Sequence, residues 1–441
     1  MSPFWLNFSR YLLRSLSVLL LSAPIVILLI SLQTGATVSP APDLTNSEIS
    51  RVQQLLLESA PSTPNNPGMH HVVLTHEELN LLLRYGVELV ELSTPLAADL
   101  SFAEEALTTR LSVRLNNTFI PLYLNLRAEF QQADAQLDLQ ALYLGNLKLP
   151  DRLLRYLRQR IQNQYLATNL YYQDFSELLS NIQRVNLTRD LVDVELQWEP
   201  ALLDRIGDHA QQLFISEQDR LRIIKHYQIL SSVAAQIPEN RRAVSLNEFL
   251  KPLFTAAREN SANGSDPIAE NRTLFQTLAI YVNNEDIQQL LGEFEDANLT
   301  PARYIEVRLL RRQDLAQHLV SIAAITASAG AEFAELLATT KEAYDARYRS
   351  GFSFSDLTAN IAGVALASLA TRDVETAILM QERLSNLQNE TDYMPEVGSN
   401  RDGLSETEFN AIFQDRNSTE YQYRVQEIEE QVFSRPLFTI F

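Results

Sequence analysis

Six side chains between positions 318 and 360 have the types that do chemistry together: His318, Lys341, Glu342, Asp345, Asp356 and Asn360. His318 is the only histidine in the last 200 residues. One imidazole with several carboxylates is a ligand set for Mn, Fe or Zn, and the same groups can exchange protons in acid–base work. His318, Glu342, Asp345 and Asp356 are the candidate metal ligands. Lys341 and Asn360 join them as candidates for a catalytic role. The alternative is structural: Glu342 pairs with Lys341 or Arg347 on a solvated face, Asp356 serves only as a helix cap, and His318 packs in a core. His70, His71 and His76 form a second, weaker metal set beside a linker, or else are exposed histidines near a helix start. The chain holds no GxSxG, P-loop, HExxH or GxGxxG pattern.

Three helices must carry the six residues. Residues 314–328 read as a helix rich in small side chains. Residues 331–348 read as a second, with Phe333, Leu336, Leu337 and Tyr344 at helical spacing. Glu342 and Asp345, three apart, share a face of it. Gly351 permits a bend. Ser353 and Asp356 form an S-x-x-D capping pattern, with Phe352 and Leu357 at the staple positions. A third helix follows, kept thin by Ala359, Ala362, Gly363 and Ala365.

The residues His318, Lys341, Glu342, Asp345, Ser350, Gly351, Phe352, Ser353, Asp356, Leu357, Ala359 and Gly363 give this stretch a pattern that resembles the YfiM family of envelope lipoproteins. That family is of unknown function, so the resemblance implies a constellation and no activity. It covers residues 318–363. The chain departs from it twice: Asn360 stands where the family has an acid, which weakens a metal site, and there is no cysteine to carry a lipid.

Composition bounds the remaining possibilities. The net charge is −19, which disfavours nucleic acid as a partner. Absence of cysteine removes disulfides, thiol catalysis and thiolate metal sites. Residues 15–32 carry no charge and are just long enough for a membrane span. Arg10 and Arg14 precede them, and no Lys or Arg follows until Arg51. This asymmetry places the N-terminus in the cytoplasm and the rest outside. A signal peptide cut near Thr34-Gly35-Ala36 is the other reading of the same segment.

The expected organisation is an anchor at 1–36, a linker at 37–70, an α+β domain at 71–206 and a helical domain at 216–441. In the α+β domain, Thr75 to Glu78 is a capping box. Alternation along 120–130 and 192–198 predicts half-buried antiparallel strands. Leu74, Thr75, Glu78, Leu79, Asn80, Leu82 and Leu83, followed by Leu144 to Pro150 ahead of a helix, resemble the YpmS family of membrane-anchored proteins, also of unknown function. Asn80 is the polar residue to watch there, either as a site residue or as an amide that satisfies nearby backbone. Helices are expected over 216–236, 245–260, 268–282, 284–297, 301–328, 331–348, 354–370 and 372–388. Ser245 and Glu248 form another capping box. The acidic tail from 382 is expected to pack loosely until Ser405 restarts a helix, and Tyr421, Val425, Ile428 and Val432 have the spacing to dock on the bundle.

The reading is thus an α+β chain: a membrane helix, a small antiparallel-sheet domain, then a larger all-helical domain. It predicts a bacterial inner-membrane protein with its bulk in the periplasm. The expected role is non-catalytic, binding or scaffolding an envelope protein, a lipid or a cell-wall component. The alternative is a metal-assisted hydrolase using the His318–Asp356 set with a divalent metal.

Overall fold

The computed structural model describes residues 31–439, except 62–65, 90–95, 134–135, 162–176, 178–179, 203–215, 292–298 and the single positions 41, 43, 117, 201, 300, 349 and 417. The chain divides into two compact units. One comprises residues up to 55 with 64–202, the other 56–63 with 203–441. The fold is mixed α and β, with small antiparallel sheets and many helices.

The first unit contains β1 (Leu32–Gln33), α1 (Asn46–Glu58, whose last residues belong to the second unit), β2 (Gly68–Thr75), α2 (His76–Leu89), β3 (Leu96–Ala103), β4 (Ala106–Arg114), β5 (Tyr123–Ala133), β6 (Gln136–Leu144), β7 (Leu147–Lys148), α3 (Asp151–Ile161), β8 (Ile182–Leu187) and β9 (Leu191–Trp198). β3 to β7 form one antiparallel sheet in chain order, with β1 added on β5. The second sheet runs β2-β9-β8. Leu55, Leu74, Val185, Leu187 and Val192 are buried in this unit's core. Residues 46–58, read from the sequence as part of a linker, thus bring a core residue. Glu48 and Arg51 of α1 also pair with Arg84 and Glu78 of α2. The strand expected from Ile120 starts at Tyr123, and Phe119 and Ile120 are exposed.

The expected span at 15–32 lies outside the described residues save for its last two. Leu32 belongs to β1, opposite Leu124. Among the described residues no helix is long and apolar enough to cross a membrane.

The second unit contains α4 (Glu217–Gln236), β10 (Ala243–Ser245), α5 (Asn247–Ala262), α6 (Pro267–Val282), α7 (Gln288–Leu291), β11 (Glu306–Arg308), α8 (Gln313–Ala329), α9 (Ala331–Tyr348), α10 (Phe354–Thr371), α11 (Val374–Ser385), α12 (Glu406–Phe413) and α13 (Thr419–Phe433). α10 is the central helix, touching α6, α8, α9, α11 and α13. Its small residues allow this, and Ala359, Ala362, Leu366, Ala367 and Ala370 are fully buried.

Four expectations for this unit are corrected. It is not all helical, because β10 and β11 form a parallel pair. Helix does not begin at 301: Ile305, Val307 and Leu309 are buried and alternate with polar residues, a period-two pattern, so α8 starts at Gln313. The segment from 386 to 404 is not loose, because Leu387, Tyr393, Met394, Val397 and Leu404 join the main core. The Ser245 capping box is not formed. Ser245 lies in β10, and its hydroxyl donates to Glu390 Oε1 at 2.6 Å and accepts from Asn247 N–H at 3.2 Å, while the N-cap of α5 is Leu246, whose side chain makes no cap.

Candidate functional site

The candidate site is built where α8, α9 and α10 meet. His318 comes from α8, Lys341, Glu342 and Asp345 from α9, Asp356 and Asn360 from α10. The entry to α10 sets the geometry. Gly351 has φ +88°, and a Cβ there would stand 2.5 Å from the Gly403 carbonyl carbon. The bend places Ser353 as the N-cap, and its Oγ accepts from Asp356 N–H at 3.1 Å. The reciprocal half of the expected capping box comes from elsewhere: Ser353 N–H donates to Glu342 Oε2 at 3.3 Å. Asp402 completes the cap, accepting from Ser355 N–H at 2.9 Å and Ser353 Oγ at 3.0 Å.

These contacts draw His318, Glu342 and Asp356 together. One ligand atom from each lies within 4.8 Å of the others, the only such group of three among the described residues. His318 Nε2 is 3.4 Å from Asp356 Oδ2, and Nδ1 is 3.9 Å from Glu342 Oε1. Asn360 Oδ1 accepts from His318 Nδ1 at 3.1 Å, which leaves Nε2 as the lone-pair nitrogen. This is the second contact that a metal-ligating imidazole ordinarily has. Asn360, which looked like a weakened ligand from its type, therefore orients the histidine. Asp345 stands apart from the group of three and pairs with Lys341 at 2.8 Å. Lys341 Nζ also lies 3.5 Å from His318 Nε2.

The structural alternative is met only in part. Ser353 does make a cap with the Asp356 backbone, and His318 is largely buried. Glu342, however, is not on a solvated face. It is 1% exposed, Lys341 turns to Asp345, and Arg347 turns to Glu406. Glu342 Oε1 and Asn360 Nδ2 are buried and have no hydrogen-bond partner among the described residues.

The electrostatics follow from burial and from a shortage of cations. Arg312 pairs with Asp314 at 2.6 Å, Asp402 at 2.7 Å and Asp356 at 3.5 Å. Of the five carboxyl groups here, Asp314, Asp345, Asp356 and Asp402 pair with Arg312 or Lys341, while Glu342 makes no ion pair with a lysine or arginine among the described residues and feels Lys341 and Arg416 only through their charge. Burial pushes the Glu342 carboxyl up to about 8, against the pull of Lys341 and with the push of Asp356. Burial also raises Asp356 and lowers His318, each opposed by the other's charge. A divalent ion would supply the missing positive charge and displace the proton from Glu342. The donor set fits such an ion: imidazole nitrogen and carboxylate oxygens suit Mn, Fe or Zn.

Arg312, Asp314 and Asp402 belong to this network and were not singled out in the sequence. Arg312 closes a four-residue turn in which Leu309 N–H donates to Arg312 O at 2.8 Å and Arg312 N–H to Leu309 O at 2.9 Å. Its central residues, Leu310 and Arg311, have φ of +49° and +68°. Asn-Gly is the usual occupant of such a turn, so Leu-Arg costs about 1–2 kcal/mol per residue. Nothing in the residue types announced it.

The histidines of the first unit do not converge on one point. His71 Nε2 pairs with Asp193, His70 packs edge-on against Trp198, and His76 Nε2 lies 2.7 Å from Leu100 O. Asn80 holds β3: its amide donates to Leu100 O at 2.8 Å and its oxygen accepts from Leu100 N–H at 2.8 Å.

No family model, curated protein or solved structure matches the chain.

Proposed function

We propose that the second unit is a divalent-metal-binding module, with His318, Glu342 and Asp356 as the protein ligands and Asn360 as the residue that orients His318. The observation that carries this reading is Glu342 Oε1: a buried carboxyl oxygen without a donor among the described residues, 3.9 Å from His318 Nδ1, within a group of three potential ligands. The role is binding or scaffolding, in a protein held in the bacterial inner membrane by residues 15–32 with its bulk in the periplasm. The charge asymmetry around that segment supports the location. Partners of the expected classes are an envelope protein, a lipid or a cell-wall component.

A metal-assisted hydrolase is the second reading. Three protein ligands rather than four is the pattern of catalytic metal sites, because a position stays open for water. Under this reading Lys341, whose side chain is half exposed and whose Nζ lies 3.5 Å from His318 Nε2, is a basic group beside the ligand set.

Melting curves test the metal reading. Dialysis against a chelator should lower the wild-type melting temperature, and Mn or Zn should restore it. His318→Ala should melt at the same temperature with and without chelator. A wild type indifferent to both chelator and metal would contradict the proposal. A reporter active only outside the cytoplasm, fused after Phe441, tests the location. An inactive fusion, with a cytoplasmic reporter active instead, would reverse the assigned topology.

A further inference from the structure

Away from the candidate metal site, Arg241, Lys251, Arg308 and Arg311 line one open cleft of about 670 Å³ in the second unit, with Glu248 and Glu390 as its carboxylates. Cations outnumber acids here in a chain whose net charge is −19. The four come from separate pieces of backbone: the approach to β10, the start of α5, the end of β11 and the turn after it.

The two acids leave most of this positive charge unanswered. Glu390 is held by uncharged donors, accepting from Ser245 Oγ at 2.6 Å and from Leu310 N–H at 2.7 Å. Glu248 reaches Arg241 only at 3.7 Å, with both side chains about half exposed. Arg308 gives its Nε to Glu306 at 2.5 Å, which leaves its outer nitrogens for another acceptor. Lys251 and Arg311 have no ion pair among the described residues. Arg311 also sits at the strained centre of the turn 309–312, whose backbone Glu390 fastens from the cleft side. The start of α5 adds the positive end of a helix to the same wall, although its first N–H, that of Asn247, already donates to Ser245 Oγ at 3.2 Å.

We propose that this cleft binds a ligand through a multiply charged phosphate group. Guanidinium forks and a helix N-terminus match tetrahedral phosphate oxygens, and the volume suits a small molecule or a lipid headgroup. This inference does not depend on the metal site.

The test titrates two probes into the full chain in detergent, in roughly 0.15 M salt so that weak surface attraction is screened. The probes are pyrophosphate and dihexanoyl phosphatidic acid, followed by calorimetry. Saturable binding of at least one is expected. Arg311→Glu and Lys251→Glu should each weaken it by about tenfold or more, the effect of losing a charge-assisted contact. Both residues lie in the cleft wall, so the variants should keep the wild-type melting temperature. Arg258→Glu, exposed and outside the cleft, should bind as wild type. Tighter, Arg311-dependent binding of pyrophosphate assigns the site to a soluble phosphorylated ligand, and of phosphatidic acid to a lipid headgroup. No saturable binding of either probe, or binding unchanged in both cleft variants, overturns the proposal.

Discussion

Gly363 of α10 lies directly on the backbone of α8: a Cβ at 363 would stand 2.5 Å from the carbonyl oxygen of Leu319, the residue after His318. The two helices that carry His318 and Asp356 are therefore set apart by the width of a glycine. Gly363→Ala should push them apart and cost about 1–3 kcal/mol, the usual penalty for overpacking a filled core. Chemical denaturation measures that cost. Metal-dependent stabilisation should shrink in the same variant, because His318 and Asp356 move with the helices. An alanine variant as stable as wild type would show that the contact is not a constraint.

The cap of α10 makes a second prediction. Ser353 Oγ accepts from Asp356 N–H and donates to Asp402 Oδ1, so its loss leaves a helix N–H without its partner, while Asp402 Oδ1 keeps the Ser355 N–H. Ser353→Ala should lower stability by about 0.5–2 kcal/mol. Ser353→Thr, which keeps the hydroxyl, should recover most of it. Equal losses in both variants would mean that the hydroxyl is not the cause.

A buried acid elsewhere in the second unit predicts a pH dependence. Glu270 is 2% exposed. Burial raises its pKa, but the contact with His226 Nε2 at 3.2 Å and hydrogen bonds from Ser265 and Asn260 outweigh that and bring it down to about 2 from its ordinary 4.5. The folded value lies below the unfolded one. The unfolded chain therefore binds more protons between these limits, and stability rises with pH across them. The contribution is complete above about 4.5 and fades as pH falls towards 2, on the order of 2–3 kcal/mol. Glu270→Gln should flatten this part of the stability–pH curve measured by urea unfolding. An unchanged slope would remove Glu270 as its source.

Much of the helical unit was legible because its signals are local. The helix expected from 216 begins at the Ser216 cap, and Ser405 caps its helix as its S-x-x-E spacing indicates. Gly351 marked the bend at the site, and its φ of +88° gives the reason. The hairpin β3–β4 was hidden because its turn is Glu104-Glu105, with Glu105 at φ +59°, and carries no glycine or asparagine. The strand β11 was hidden because three residues are too short for periodicity to outweigh the helical pattern beside it.

The candidate site was legible in membership and not in arrangement. Residue types and spacing named His318, Glu342 and Asp356. That Asp345 would turn to Lys341, and Asn360 to His318, depends on how three helices rotate against one another. Asp402 is beyond local reasoning altogether, since it caps a helix that starts 48 residues before it.

Equilibrium dialysis with Mn and with Zn, comparing wild type and Glu342→Gln, tests the central claim most directly. Glutamine preserves the shape of the side chain and removes the oxygen charge on which the site is built. The proposed site predicts one tightly held ion per wild-type chain and its loss in the variant, with the fold retained. Wild type that holds no ion, or a variant that holds it as tightly as wild type, would contradict the assignment of His318, Glu342 and Asp356 as a metal centre.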